Sequence, residues 1–387
     1  MKTICILALA ALALGCSQPQ SPVSGPSSSA ATTSTPSVLA TASPVEASPQ
    51  DLQKAEELAK QVKDGVFPSA EQNKKENAKI FLTLAISSKD EQVVIAALDG
   101  MSKTWTASEN PAKEKINQAY LDALMTLLDS PSHGVLANAL EAAKPALQGQ
   151  TEMTPLVDKL VALADSHPEP AARLEALNAL QGIKDFQQQE KIAAVFLKNI
   201  QAPEPYLKSL ALFRIQFNNH KLAGKEEFFT RVHDLLKDPD PGVRGRAAEV
   251  SSVLVADADK EKLGAEITAM LEDKEAYVRS ASASALGRLG YKPAIPKMVA
   301  LLDDKARNTY DIPYKRLNGK EGSEHHDGSA WSRVDDSMLW GLSQLTFGFG
   351  EQKFPYGKID WKNVDGDIAR EVKLAKAWYD KNKALLK

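Results

Sequence analysis

The chain has 387 residues, with 47 Lys and Arg against 50 Asp and Glu, a formal charge of −3. That is too weak a field to recommend nucleic acid or an anionic membrane surface as a partner. Its composition, 43% hydrophobic but only 6% aromatic, suits Leu- and Ala-rich helices, and both cysteines, Cys5 and Cys16, lie in the first 16 residues. A disulfide, a thiolate zinc site or a cysteine nucleophile is therefore excluded from everything that follows them.

Residues 1–16, MKTICILALAALALGC, place a lysine before an apolar run of about a dozen residues. This is the layout of a secretory signal, too short for a permanent membrane span. The ending Leu12-Ala13-Leu14-Gly15-Cys16 resembles the lipobox of bacterial lipoproteins, although Ala13 stands where that family usually has Leu. The resemblance implies cleavage before Cys16 and acylation of that residue, and Ser17 after it implies the outer membrane in a diderm cell. Residues 17–50 are almost entirely Ser, Thr, Pro, Ala, Gln and Val. Without apolar bulk they are expected to be a disordered tether, with an end-to-end distance of roughly 30–35 Å as a flexible coil.

From Asp51 the pattern turns helical. A first helix is expected around Leu52 to Val62, then pairs at 70–86 and 90–103, 113–128 and 133–147, 152–164 and 169–182, and 187–199 and 203–217. Sharper pairs follow within 225–254 and 260–290, with a further first helix from Ala294 to Leu302. Val94, Val135, Ala172, Leu207, Val243 and Val278 take the same place in successive second helices, 35 to 41 residues apart. A fixed period in that range is the mark of a two-helix solenoid repeat. The turn Asp238-Pro239-Asp240-Pro241 stops one helix, and Asp240 is placed to cap the next.

The copies LLKDPDPGVRGRAAEV (235–250) and MLEDKEAYVRSASASALGRLG (270–290) resemble HEAT repeats, and the likeness extends weakly over residues 70–350. It implies an all-α, α-α superhelix. It also implies a ladder in which the turn Asp and the Arg after Val tie successive repeats together; Asp238 with Arg244, and Asp273 with Arg279, match both positions. Arg173 and Lys208 keep only the basic member of the pair.

The period breaks over 305–334, KARNTYDIPYKRLNGKEGSEHHDGSAWSRV, where a turn of a few residues is expected. The stretch reads as a polar loop, and long loops often carry function. Tyr310, Tyr314 and Trp331 are its candidates for contact with a partner. His325, His326 and Asp327 combine imidazole and carboxylate and are the one candidate metal set. Residues 335–387 resume the array and close it with an aromatic loop and a last helix, as a terminal repeat requires.

No dinucleotide loop, P-loop, nucleophile elbow or HExxH motif is present, and no cofactor is called for. The expectation is a lipid-anchored, non-catalytic scaffold of the bacterial cell envelope that binds another envelope protein or a peptide and no nucleic acid. The alternatives are a metal-dependent enzyme or metal-binding protein using residues 324–327, and a carrier of small molecules or lipid.

Overall fold

The computed structural model describes residues 49–64, 78–104, 111–148, 154–183, 189–215, 222, 224–327, 333–346, 354–357, 359–360 and 362–386. The signal and lipobox with Cys16, and nearly all of the tether, lie outside the described residues, as do Trp331, Phe347, Phe349 and Trp361.

A leading helix α1 (Pro49–Lys63) is followed by helix pairs α2 (Ala78–Ser87) and α3 (Glu91–Thr104), α4 (Pro111–Leu127) and α5 (His133–Leu147), and α6 (Pro155–Ser166) and α7 (Pro170–Leu180). Then come α8 (Glu190–Asn199) and α9 (Pro205–Ile215), α10 (Lys225–Asp234) and α11 (Pro241–Leu254), α12 (Lys260–Met270) and α13 (Ala276–Leu289), and α14 (Ile295–Ala300) and α15 (Val334–Leu345). The last helix, α16 (Val364–Asn382), packs on α14 and α15 and closes the array. Pro111, Pro155, Pro170, Pro205 and Pro241 each open a helix, where the missing N–H costs nothing. Asp240 accepts the Val243 N–H at 3.1 Å and Ser132 the Val135 N–H at 3.2 Å, so both act as N-caps.

First helices form one layer and second helices the other. The second helices touch their neighbours more extensively, above all α11 with α13 and α13 with α15. Their sequences show why, since small residues replace bulk along the shared seam. A Cβ at Gly341 would lie 2.5 Å from the carbonyl oxygen of Ala283, so only glycine permits that approach. The layer whose helices lie closer together forms the inner side of a curved stack. The core is continuous along the stack, from Phe81 and Leu98 through Leu140, Leu177 and Leu212 to Val243, Leu286 and Leu339.

The structure is thus an α-α superhelix of HEAT-like pairs, with one addition. Residues 305–334, expected as a polar loop between α14 and α15, contain an antiparallel hairpin of β1 (Thr309–Lys315) and β2 (Glu321–Asp327). Its turn is closed by Gly319 N–H to the Arg316 carbonyl at 2.9 Å, with Gly319 at φ 79°. Arg307 and Arg333 bridge at its root.

Candidate functional site

The hairpin does not stand in solvent. It crosses the inner layer over α9, α11 and α13, and alternation along its strands decides what each residue meets. Tyr310, Ile312 and Tyr314 of β1 face inward, opposite His326, Glu324 and Gly322 of β2. Ile312 is 4% exposed and lies over Gly242 of α11, where even a methyl group would stand 2.7 Å from its Cδ1. Tyr314 stacks on Tyr206 of α9 with centroids 4.9 Å apart, and the Tyr310 hydroxyl donates to Asp240 Oδ2 at 3.3 Å. At the tip, the Leu317 N–H donates to Glu175 of α7. Thr309, Asp311, Lys315, Glu321, Ser323, His325 and Asp327 face outward and are exposed.

Beneath β2 lies a buried polar cluster. The His326 ring is fully buried, with Nε2 3.0 Å from Ser209 Oγ and Nδ1 3.3 Å from Arg246 Nη2 and 3.2 Å from the Tyr277 hydroxyl. A guanidinium nitrogen can only donate, so Nδ1 must accept and the imidazole proton is assigned to Nε2, facing Ser209. Burial, then the positive Arg246, pushes the His326 pKa down to about 3. Arg246 also binds Glu249 at 2.9 Å and covers the Phe213 ring at 4.7 Å, while Arg288 reaches Glu249 at 3.7 Å and lies over Trp340. Glu324 has its pKa raised by burial, a shift that Arg246 and Arg214 oppose.

These positions correct several sequence readings. Tyr310 and Tyr314 were candidates for a partner, yet both are committed to docking the hairpin on its own chain; Trp331 lies outside the described residues. His325, His326 and Asp327 do not converge as a metal set. Neighbours in a strand point to opposite faces, so His326 enters the inner layer while His325 and Asp327 leave it. His325 Nδ1 instead pairs with Asp311 at 2.8 Å across the hairpin. Among the described residues, no group of three or more His, Cys, Asp or Glu side chains is arranged to hold a metal ion.

The charged rungs lie at the helix turns. Arg244 makes a two-point contact with Asp273 at 3.1 and 3.2 Å, and Arg279 binds Asp304 at 2.8 Å. Lys208 binds Asp238 at 2.6 Å and Arg173 binds Glu204 at 3.1 Å. Each basic residue therefore pairs with the acid of the next repeat. To its own turn Arg244 donates only through main-chain carbonyls, those of Asp238 and Pro239 at 2.8 and 3.0 Å. These contacts occupy Arg173, Lys208, Arg244 and Arg279 within the stack.

The polar cluster was missed in the sequence, because Ser209, Arg246, Glu249, Tyr277 and His326 share no spacing. The hairpin did leave a signal. Tyr310, Ile312 and Tyr314 alternate with Asp311, Pro313 and Lys315, and Asn318-Gly319 follows, a pair favoured in hairpin turns. A separate concavity of about 430 Å³ opens between α10 and α12, lined among others by His233, Leu236, Glu266 and Met270.

Residues 232–310 match the family model described as HEAT repeats. No curated protein matches the sequence. Among solved structures, Kap121p bound to RanGTP is similar over 77% of this chain and 36% of its own, at 13% identity and a TM-score of 0.49. An engineered protein is similar over 85% of this chain and 95% of its own, at 14% identity and a TM-score of 0.42. Kap121p in another structure is similar over 87% of this chain and 42% of its own, at 14% identity and a TM-score of 0.48. The chain thus spans less than half the length of Kap121p. The matched stretch, residues 232–310, is the one in which Arg244 with Asp273 and Arg279 with Asp304 join each helix pair to the next, so that part of the chain is similar to HEAT repeats.

Proposed function

We propose that this chain is a non-catalytic, protein-binding scaffold whose inner layer and hairpin receive a partner. The observation that carries the reading is that the inner layer already holds extended chain, gripping alternate side chains Tyr310, Ile312 and Tyr314 while the other face stays in water. A surface built to grip strands suits an extended segment of another protein, and a long solenoid face offers more area than a small ligand needs. The sequence supports placing it in the bacterial cell envelope. Acylation at Cys16 would anchor it, facing the periplasm from the outer membrane in a diderm cell, with residues 17–50 as tether. The partner is then another envelope protein or peptide.

Site-specific photo-crosslinking in intact cells tests this. A crosslinker at Ser323 or Thr309, on the outward hairpin face, is expected to trap one recurrent protein. At Glu226 or Glu261, exposed on α10 and α12, it should not. Equal trapping from both layers, or none from the hairpin, would remove the assignment.

A further inference from the structure

Helices of the outer layer are tied to one another by ion pairs across the joints between repeats. Lys191 of α8 reaches Asp158 of α6 at 3.1 Å, Lys198 of α8 reaches Asp165 of α6 at 2.9 Å, and Lys297 of α14 reaches Glu272 at 2.7 Å. Lysine stays charged far above neutral pH, so these ties are insensitive to ordinary changes of pH. Between α10 and α12 the basic member is a histidine instead. His233 Nε2 lies 2.5 Å from Glu266 Oε2, with the side chains 29% and 38% exposed. Among the described residues no lysine or arginine ion pair joins these two helices. From this substitution at one joint we infer that α10 and α12 form a pH-sensitive hinge, clasped by His233 and Glu266 when the imidazole is protonated and loosened when it is neutral.

The joint has room to move on its outer side. The concavity of about 430 Å³ and a smaller hollow of about 140 Å³ are both lined by His233. Whereas α6 packs on α8, α10 and α12 have little direct packing. On the inner side the same joint is shut. There α11 packs closely on α13, and a Cβ at Gly245 would stand 2.4 Å from the Tyr277 ring. Because α11 carries α10 and α13 carries α12, the outer helices can part only by rotation about this inner seam. With packed helices about 9 Å apart, a parting of about 2 Å turns one repeat against the next by about 13°.

Protonation decides how firmly the clasp holds. A neutral imidazole offers Glu266 one N–H, whereas an imidazolium brings a full opposite charge to the same contact. Asp234 and Lys237 lie beside His233 on its own side of the cleft. Asp259 and Lys262 face it from the start of α12, and Glu272 and Asp273 from its end. Asp273 is held by Arg244 and Glu272 by Lys297, while Arg246 and Glu249 of α11 pair with each other beneath the hairpin. That leaves Asp234, Asp259 and Glu266 against Lys237 and Lys262, so an imidazolium is drawn across the cleft rather than repelled. Histidine is the side chain whose charge ordinarily changes between pH 5 and 8, and the clasp tightens toward the acid end of that range. The hairpin lies directly over the hinge, with Ile312 over Gly242 of α11 and the His326 ring 4.9 Å from that of Tyr277 on α13. A change of angle at the seam therefore reaches the hairpin, whatever the partner is.

Pulsed electron paramagnetic resonance tests this on the full chain carrying Cys5→Ser and Cys16→Ser, so that nitroxides attach only to introduced cysteines. Labels at Glu226→Cys and Ala265→Cys, exposed on α10 and α12, should give a narrow distance distribution at pH 5.5. At pH 8 it should be broader, with a mean about 2 Å longer. Control labels at Ala162→Cys and Ala194→Cys, across the lysine ties of α6 and α8, should give one distribution at both pH values. His233→Gln should stay broad at pH 5.5, and His233→Lys should stay narrow at pH 8. Other titrating groups, His326 among them, are common to all these proteins and cancel. A distribution that does not change with pH, or that changes equally in His233→Gln, would overturn the hinge. Glu266→Gln should also stay broad at pH 5.5, and it decides the matter if His233→Gln does not fold. Crosslinking from the hairpin does not depend on the hinge, so a flat response removes this inference and leaves the scaffold reading standing.

Discussion

Replacing His326 by Gln separates the proton chemistry under the hairpin from everything else that titrates. The imidazole is held neutral with its pKa at about 3, and an unfolded histidine titrates near 6.5. Above pH 6.5 both states are neutral and the residue contributes no pH dependence. Below it the unfolded chain binds a proton that the folded chain refuses, so stability falls with falling pH until about pH 3. The slope is about 1.4 kcal/mol per unit, or about 2 kcal/mol between pH 7 and pH 5. In His326→Gln the amide oxygen can accept from Arg246 and the amide nitrogen can donate to Ser209, without a titrating group. Glu324 has a raised pKa, which acts with the opposite sign, but it is present in both proteins and cancels. Urea unfolding at pH 7 and pH 5 should show the wild type losing about 2 kcal/mol more than the variant. Because a repeat array can open in parts, hydrogen exchange at 309–327 should report the same difference locally. Parallel losses in the two proteins would refute the burial of a neutral His326.

Two further outcomes follow from the geometry and one from the lipobox resemblance. In a double-mutant cycle of Arg244→Ala and Asp273→Ala, the coupling should be about 1–3 kcal/mol by denaturant unfolding, because both partners are mostly buried; a value near zero would make the rung ornamental. Gly242→Leu should drive Ile312 off α11 and expose the tip at Lys315, Arg316 and Lys320 to trypsin, whereas Gly242→Ala with Ile312→Ala should keep it protected. Cys16→Ser should move the protein from the membrane pellet to the soluble fraction, and an unchanged pellet would dismiss the lipid anchor.

The helices were legible because their ends are written in short-range chemistry. Pro205, Pro241 and Gly290 punctuate the chain where the structure starts or stops a helix, and the expected bounds of the last pairs fall within a few residues of α10 to α13. The ladder was legible both as residue types and as a tie between successive repeats. Local sequence places Arg244 beside Asp238, whereas the rise and rotation between repeats, set by packing, carry it to Asp273. β2 was illegible for a different reason. Glu321-Gly-Ser-Glu-His-His-Asp327 has no apolar residue, so its strand character comes wholly from β1 beside it and from the groove below. Burial of Glu324 and His326 is a tertiary fact, and the arginines that accommodate them come from α9 and α11.

The two ways in which the hairpin is held explain why its position can matter for binding. Its root belongs to the repeat ladder: Asp304 accepts from Arg279 at 2.8 Å and from the Ala306 N–H at 3.0 Å, and its carbonyl accepts the Asp335 N–H at 2.9 Å. Those bonds fix where the strands leave α14 and where the chain re-enters α15. Its body rests on contacts of another kind, an aromatic stack, one aliphatic side chain over a glycine and a buried polar cluster. A polar cluster is specific in geometry and costs desolvation, so it sets register more than it adds stability. A hairpin required only to close the array could have used apolar residues along β2. The residues present instead hold β2 in one register against α9 and α11, with His326 set between Ser209 and Arg246.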